Sequence, residues 1–167
     1  MSATVFDSDA SLDERRVIIR RDGGDVEMVE LPWGLEPREG SRPFTVVRAE
    51  GRVFPDHRCL VPASEFRHRS QGKNYSFALA SADFFYFAGI WRPASRHWPE
   101  SYAILTTAAN EDVAPYHDRQ MAVLIRDQRM AWLDHACPEE ELLRPRPPGA
   151  FTVSRLKEPL HQGALAF

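Results

Sequence analysis

The stretch "SYAILTTAANEDVAPYHDRQMAVLI", residues 101–125, contains two apolar segments with a polar segment between them. The apolar segments, 101–107 and 121–125, are short and bounded by polar residues, so they predict strands rather than helices. In "AANEDVAPY" (108–116), Asn110 is followed by two acids, which is typical of a helix start. The stretch therefore predicts two buried strands joined by a short helical connection.

The same pattern of short strands continues on both sides of this stretch. "RRVIIRR" (15–21), "DGGD" (22–25) and "VEMVEL" (26–31) predict a β-hairpin, because Asp-Gly-Gly favours a tight turn between two strands. Further strands are predicted at 44–49, 58–63, 75–80, 84–91 and 150–156. Short helices are predicted at 126–136, with Trp132 and Leu133 facing the core, and at 138–145. We expect an α+β fold: one β-rich domain whose mostly antiparallel sheet curves towards a barrel, with a few short helices.

Length and composition fit one globular domain. The chain has 167 residues, of which 43% are hydrophobic, enough for one sizeable core. We expect a flexible N-terminus at 1–14, one domain at 15–156 and a tail at 157–167. No apolar run approaches the roughly 20 residues of a membrane span, and the acidic start is unlike a secretory signal. The two cysteines form no disulfide framework or redox motif, which favours a cytoplasmic protein.

Positive charge is concentrated in one part of an acidic chain. The net charge is −3, yet residues 38–73 carry eight basic residues against four acidic ones. The basic residues are Arg38, Arg42, Arg48, Arg52, Arg58, Arg67, Arg69 and Lys73. A local basic stripe predicts an anionic ligand bound at one place rather than on all faces. The alternative is a solvated polar surface.

The polar loop before residue 121 carries candidate chemistry. His117 lies at the mouth of a predicted strand, where loops often present catalytic groups on a rigid scaffold. Histidine is the natural acid or base near neutral pH, and Arg119 could clamp a phosphate. Alternatively this is a turn in which Asp118 caps the chain and pairs with Arg119.

Two further polar groups follow predicted strands. In "VVRAEG" (46–51), Arg48 and Glu50 share one face of a strand, so either they form an ion pair or Glu50 orients Arg48 towards an anion. "RCLVPASEFRHR" (58–69) predicts a buried strand entering a loop. That loop would carry Glu65, Arg67, His68 and Arg69. Such a cationic loop could grip a phosphate backbone.

Other conspicuous residues have structural alternatives. Trp33 in "LPWGLEP" (31–37) could stack on a base or cap the core. Cys59 lies among apolar neighbours and is expected to be a packed core residue rather than a nucleophile. None of the six histidines has HxH or HxxxH spacing, so we expect neither a metal site nor a cofactor.

Taken in order, five motifs resemble one family. "PWGLEP", "VVRAEG", "RCLVPASEF", "FAGIW" and "ILTTAANEDVAPYHDRQMAVLI" are similar to the SOS response-associated peptidase (SRAP) family over about residues 28–133. The resemblance implies a compact β-rich fold with a positively charged groove that recognises abasic sites in single-stranded DNA. In this family, a cysteine exposed by removal of the initiator methionine traps the opened sugar as a thiazolidine. An Asn, a Glu and a His support that chemistry.

Several family positions are matched here. The H-D-R histidine and arginine of the family fall on His117 and Arg119. The arginine and glutamate of N-A-R-x-E fall on Arg48 and Glu50. The W-G pair falls on Trp33 and Gly34.

Other positions depart from the family pattern. Val46 stands at the motif asparagine, His68 at the G-F-Y-E-W glutamate, Arg69 at its tryptophan, and Ser2 at the cysteine. Three explanations compete: a true start upstream of this one, a divergent member that kept the DNA groove but lost the chemistry, or a remodelled site in which His68 and His117 form a new acid/base pair. Since a wrong start does not explain the internal replacements, the second is favoured.

The resemblance thus predicts a monomer that binds single-stranded or abasic DNA without crosslinking to it. The catalytic candidates are His117, His68 and Glu50. The DNA-binding candidates are Trp33, Arg48, Arg67, Arg69 and Arg119. Two other functions stay open: an active crosslinking lyase with self-processing peptidase character, whose N-terminal cysteine segment is missing here, and an interaction module that does not bind DNA.

Overall fold

The computed structural model describes residues 5–7 and 15–157, which form two β-sheets and three short helical segments. The strands are β1 (Val5–Asp7), β2 (Arg15–Asp22), β3 (Asp25–Pro32), β4 (Val46–Arg48), β5 (Arg58–Ala63), β6 (Glu65–Ser70), β7 (Lys73–Leu79), β8 (Phe85–Arg92), β9 (Ser101–Ala108), β10 (Arg119–Met121), β11 (Val123–Leu124) and β12 (Phe151–Arg155). A 3-10 turn (Arg126–Gln128) leads into α1 (Arg129–Leu133), and α2 spans Glu139–Leu142. Each helical segment in this part of the chain is too short and too polar to cross a bilayer.

The larger sheet has eight strands. Its order is β10-β9-β8-β5-β2-β3, with β4 parallel to β9 and β11 antiparallel to β8. The predicted hairpin is confirmed as β2 and β3, whose turn residues Gly23 and Gly24 have φ of 61° and 104°. Glycine adopts this left-handed region without the steric cost that a Cβ imposes. The sheet curls enough for Trp33, just beyond β3, to bridge Tyr102 of β9, but it does not close into a barrel.

The smaller sheet has the order β1-β6-β7-β12. Its strand β6 corrects the expectation of a cationic loop at 65–69, because these residues pair with β7 across a turn at Gln71 and Gly72. Strand β1 pairs in parallel with β6, although residues 1–14 were expected to be flexible. The rest of that segment, and the tail after residue 157, lie outside the described residues.

The α+β class is confirmed, and the core explains it. One apolar cluster joins the two sheets and is rich in aromatic rings, from Phe66, Phe77, Phe85, Phe87 and Phe151. A second cluster joins the other face of the larger sheet to the helices. Strand β5 is buried at every position because it lies between these two clusters.

The predicted helices are partly confirmed. In α1, Trp132 and Leu133 are buried as expected. In the segment 108–116, Ala108 ends β9 and residues 111–116 form turns rather than a helix. Asn110 still acts as a cap there, since its side-chain oxygen accepts hydrogen bonds from the backbone N–H groups of Asp112 and Val113.

Candidate nucleic-acid interface

The loop that presents His117 is fixed by its own backbone. The N–H groups of Tyr116 and His117 donate to the carbonyl of Val113, at 2.8 and 3.0 Å. The N–H of Ala109 donates to the carbonyl of Asp118, which closes the loop at its base. His117 is therefore held in place where β9 ends and β10 begins.

His117 lies at the surface on top of a second histidine. Its side chain is 42% exposed, and its Nδ1 accepts a hydrogen bond from the backbone N–H of Arg119 at 3.0 Å. The ring stacks on His68, with centroids 4.5 Å apart and planes 19° apart. Because Nδ1 is occupied by the backbone, Nε2 is the nitrogen that His117 presents to a ligand.

His68 is a half-buried, uncharged imidazole at neutral pH. It lies on β6 among the rings of Phe66 and Phe77. Burial, and to a lesser degree the neighbouring His117, lowers the pKa of His68 to about 4. Its buried Nε2 has no hydrogen-bond partner among the described residues. His68, the lower ring of the stack, therefore stays neutral near pH 6.5, where a free histidine takes up a proton.

Arg119 is held by the protein itself. Its guanidinium donates two hydrogen bonds of 2.8 Å to the carboxylate of Glu50 and two of 2.9 Å to Thr106, at the carbonyl and the hydroxyl. Arg119 holds the pKa of Glu50 at about 2, despite the burial that favours its neutral form. Of the two alternatives weighed for Arg119, the geometry supports the ion pair, but with Glu50 as the partner and not Asp118.

Arg48 is the cation of this group that faces solvent. Its side chain is 69% exposed, and its Nε lies 3.8 Å from Glu50. Strand β4 places it beside Thr106 in the parallel register with β9. Five residues contact one another in space here, and we name them the rim cluster: His68, His117, Arg119, Glu50 and Arg48. Within it, Arg48 and the outer edge of His117 are accessible to a ligand.

Three predicted DNA-binding residues lie elsewhere. Trp33 is only 2% exposed and its Nε1 donates to the carbonyl of Thr45, so the predicted base stacking is wrong and the structural alternative holds. Arg67 and Arg69 lie on β6 on either side of His68. Successive strand residues point to opposite faces, so their side chains point away from the His117 stack.

A cleft lined by four arginines lies next to the rim cluster and shares Arg48 with it. It has a volume of about 590 Å³ and lies beside β4. Its arginines are Arg38, Arg48, Arg52 and Arg92, and no acidic residue is among its lining residues. Phe44 lines the same cleft and is 38% exposed. We call this the arginine cleft. Three of the four arginines belong to the basic stretch 38–73, which is evident from the sequence. Arg92, at the end of β8, lies outside it, and no sequence pattern predicted that it would join them.

The cysteines lie apart from the rim cluster. Cys59 is fully buried, and burial raises the pKa of its thiol. Cys137, between α1 and α2, packs against the second apolar cluster, whereas Tyr116 beside His117 packs against the first. Within the described ranges, no group of three or more His, Cys, Asp or Glu residues is arranged to hold a metal ion.

The geometry can be compared with known families. The sequence profile of the SOS response associated peptidase (SRAP) family matches residues 10–160. The chain belongs to this family. A curated relative is the abasic site processing protein YoaM of Bacillus subtilis (strain 168), which is 27% identical over 137 residues. The match covers 70% of this SRAP chain and 60% of the relative, so the chain spans about three fifths of that protein's length.

Solved structures share the SRAP fold. A protein from Bordetella bronchiseptica superposes with a TM-score of 0.68 at 20% identity, covering 93% of this chain and 91% of that one. A phage-related protein of the same organism also has a TM-score of 0.68, at 22% identity and with coverages of 87% and 79%. A protein from Bacteroides thetaiotaomicron has a TM-score of 0.63 at 19% identity, with coverages of 87% and 75%. At these identities the likeness concerns the fold.

Proposed function

We propose that this SRAP member binds single-stranded DNA at abasic sites without forming a covalent crosslink. The observation that carries the proposal is the position of Arg48, which is exposed where the rim cluster meets the arginine cleft. Membership of the SRAP family, and the name of its relative YoaM, support a role in handling damaged DNA. The proposed site is contained in one chain, so a monomer is sufficient.

The arginine cleft suits a single strand for two reasons. Its arginines supply positive charge without opposing carboxylates among its lining residues, which favours a phosphate backbone. Phe44, rather than the buried Trp33, offers an exposed ring on which an unpaired base can stack. In this arrangement Arg48 binds the phosphate next to the damaged nucleotide, and the remaining arginines follow the strand.

The rim cluster would receive the damaged sugar. His117 presents Nε2 to solvent, where it can hydrogen-bond an opened sugar, and the neutral His68 supports the ring from below. Arg119 and Glu50 hold each other and so keep β4 and β10 in place around Thr106. They act as positioning residues in this proposal, not as groups that bind phosphate.

Loss of the covalent chemistry is inferred from side chains within the site. Where the resemblance places a carboxylate the chain has His68, and where it places an amide it has Val46, which has neither a donor nor an acceptor on its side chain. Cys59 cannot attack a sugar because its thiol is buried. Cys137 packs against the second apolar cluster, so in this proposal neither cysteine of the described residues supplies a thiol to the rim cluster.

The test uses single-stranded DNA with one abasic site and the matched intact strand. We expect salt-sensitive binding by fluorescence anisotropy, tighter for the abasic strand, and no adduct on a denaturing gel. Arg48→Ala should weaken binding to both strands and make the logarithmic salt slope shallower by about 1, because one phosphate contact is lost. Arg96→Ala is the matched control, since Arg96 is exposed and lines neither the arginine cleft nor the rim cluster.

Each other outcome selects a different function. A denaturant-stable adduct would mean that this chain is an active crosslinking enzyme. Equal affinity for both strands would keep DNA binding but remove abasic-site recognition. Absence of any salt-dependent binding would leave an interaction module on the SRAP fold.

A further inference from the structure

A second cleft lies away from the rim cluster and shares no residue with it. It has a volume of about 770 Å³ and opens where β7 ends, β8 begins and β11 leads into the helices. Its lining includes Arg126, Arg129 and Arg146 together with Phe84 and Tyr86. We call it the Phe84 pocket. Neither the proposed DNA function nor the sequence motifs involve these residues.

The arginines of the Phe84 pocket lack carboxylate partners. Within the described part of the chain, none of the three forms an ion pair, although Asp83 and Asp127 also line the pocket. Arg129 donates only to the hydroxyl of Tyr86, at 3.3 Å.

Arg146 carries the strongest signal of a missing ligand. Its Nε is buried and has no hydrogen-bond partner among the described residues. A buried charged donor without an acceptor is costly, so an anion in the pocket would relieve that cost. Arg67 also has a buried Nε without a hydrogen-bond partner, but its guanidinium lies 3.6 Å from Glu65, whereas Arg146 forms no ion pair in the described part of the chain.

The aromatic residues of the Phe84 pocket indicate which chemical group the ligand carries besides its anion. Phe84 is 45% exposed although it is a large apolar ring, and it stands beside the three arginines. Tyr86 is only 8% exposed, and its hydroxyl accepts a hydrogen bond from Arg129. The accessible ring is therefore Phe84, and a flat heterocycle can stack on it.

We propose that the Phe84 pocket binds a nucleotide, with its phosphate held by Arg126 and Arg146 and its base stacked on Phe84. Arginine suits phosphate because its planar fork donates two parallel hydrogen bonds. The nucleotide can be free in solution or be one unit of a DNA strand, since both present the same phosphate and base. The two sources are separated by the experiment.

The experiment is calorimetric titration of the full chain with dAMP, deoxyadenosine, inorganic phosphate and a short single-stranded oligonucleotide. We expect dAMP to bind more tightly than inorganic phosphate, and deoxyadenosine not to bind. Arg126→Gln and Arg146→Gln should each weaken dAMP binding at least about tenfold, as expected for a charge-assisted hydrogen bond. Phe84→Ala should weaken binding of dAMP but leave that of inorganic phosphate unchanged. Arg96→Gln is the control for loss of one surface charge.

The outcomes are distinguishable from those of the DNA proposal, because Arg48 does not line the Phe84 pocket. If only the oligonucleotide binds, and Arg126→Gln and Phe84→Ala weaken it, the nucleotide belongs to a strand. If neither dAMP nor the oligonucleotide responds to these two variants, the proposal is wrong. Arg126 and Phe84 are exposed, so these variants keep the test valid even if Arg146→Gln unfolds the chain. Thermal unfolding verifies the fold of each variant.

Discussion

Two arginines of the same basic stretch, Arg58 and Arg48, have opposite surroundings. Arg58 is 5% exposed, lies 4.1 Å above the Trp132 ring, and donates to the carbonyls of Phe54 and Trp132. It also pairs with Glu139 at 2.9 Å. Arg48 is largely exposed and has a single carboxylate at 3.8 Å. The sequence gives both the same charge, but only Arg48 has donors left for a ligand.

The difference shows what separates structural from ligand-binding arginines. It is whether the N–H donors of the guanidinium are already hydrogen-bonded, more than the position of the residue in a basic stretch. Arg119 illustrates an intermediate case, since its side chain is 21% exposed yet its guanidinium donates to Glu50 and Thr106. Arg146 is the reverse case, because it is half-buried with an unpartnered Nε. This criterion ranks the arginines of this protein for mutagenesis.

The largest effect is expected from removing the buried cation. Arg58→Met should lower the free energy of unfolding by about 3 kcal/mol, because it leaves two backbone carbonyls without their donor and removes the cationic partner of Glu139, which keeps only the N–H of Phe54 among the described residues. Arg48→Met should change it by less than about 0.5 kcal/mol, as is usual for an exposed residue. Urea unfolding of both variants measures the difference.

The two variants should separate stability from binding. Folded Arg58→Met should bind single-stranded DNA like the wild type, whereas Arg48→Met should be stable but bind weakly. Equal stability loss in the two variants would mean that burial does not distinguish these arginines. Normal DNA binding by Arg48→Met would remove Arg48 from the proposed interface.

The next effect comes from the histidine stack and depends on pH. The pKa of His68 is about 4 in the fold against a usual 6.5, so the unfolded chain takes up the proton first as the pH falls. The corresponding stability is present above pH 6.5 and is lost as the pH falls towards 4. His68→Phe keeps an aromatic ring below His117 and removes this loss.

We expect His68→Phe to gain about 2 kcal/mol over the wild type on going from pH 7 to pH 4, a figure reduced to allow for water reaching the half-buried ring. Urea unfolding at the two pH values measures it. An NMR titration of the wild type supplies the direct check. A His68 midpoint close to 6.5 would contradict the buried, neutral imidazole that the stack requires.

Local signals account for what the sequence could predict. The Asp-Gly-Gly turn predicts the β2–β3 hairpin because only a few residues decide it, and apolar spacing predicts the burial of Trp132 and Leu133. The family motifs place His68 and His117 in the same candidate site, and in the structure the two rings stack. These features depend on neighbours in sequence or on a motif that carries its own spacing.

What the sequence could not predict depends on distant segments. The charges of residues 65–69 predict a loop, yet these residues form a strand because they pair with β7 and β1. Trp33 sits on a Pro/Gly-rich segment typical of exposed loops, but its bridge to Tyr102 buries it. The Phe84 pocket lies between the ends of strands and a segment near residue 146. These segments are distant in sequence, so no local pattern predicts that they are close in space.

The smallest effect should come from the ion pair that anchors the rim. Because Arg119 holds the pKa of Glu50 at about 2, its contribution is present above the usual value of 4.5 and is lost as the pH falls towards 2. The Glu50 side chain is 48% exposed and water screens the pair, so Glu50→Gln should cost less than about 1 kcal/mol at pH 6. The difference from the wild type should shrink at pH 3 in urea unfolding.

The matched control for this prediction is Glu111→Gln, at an exposed position that forms no ion pair in the described part of the chain. It should follow the wild type at both pH values. A Glu50→Gln deficit that persists unchanged at pH 3 would mean that the carboxylate acts through its shape and not its charge. If the deficit shrinks while DNA binding at pH 6 is weakened, Glu50 acts as the proposal requires, by holding Arg119 and so keeping β4, which carries Arg48, in place beside Thr106.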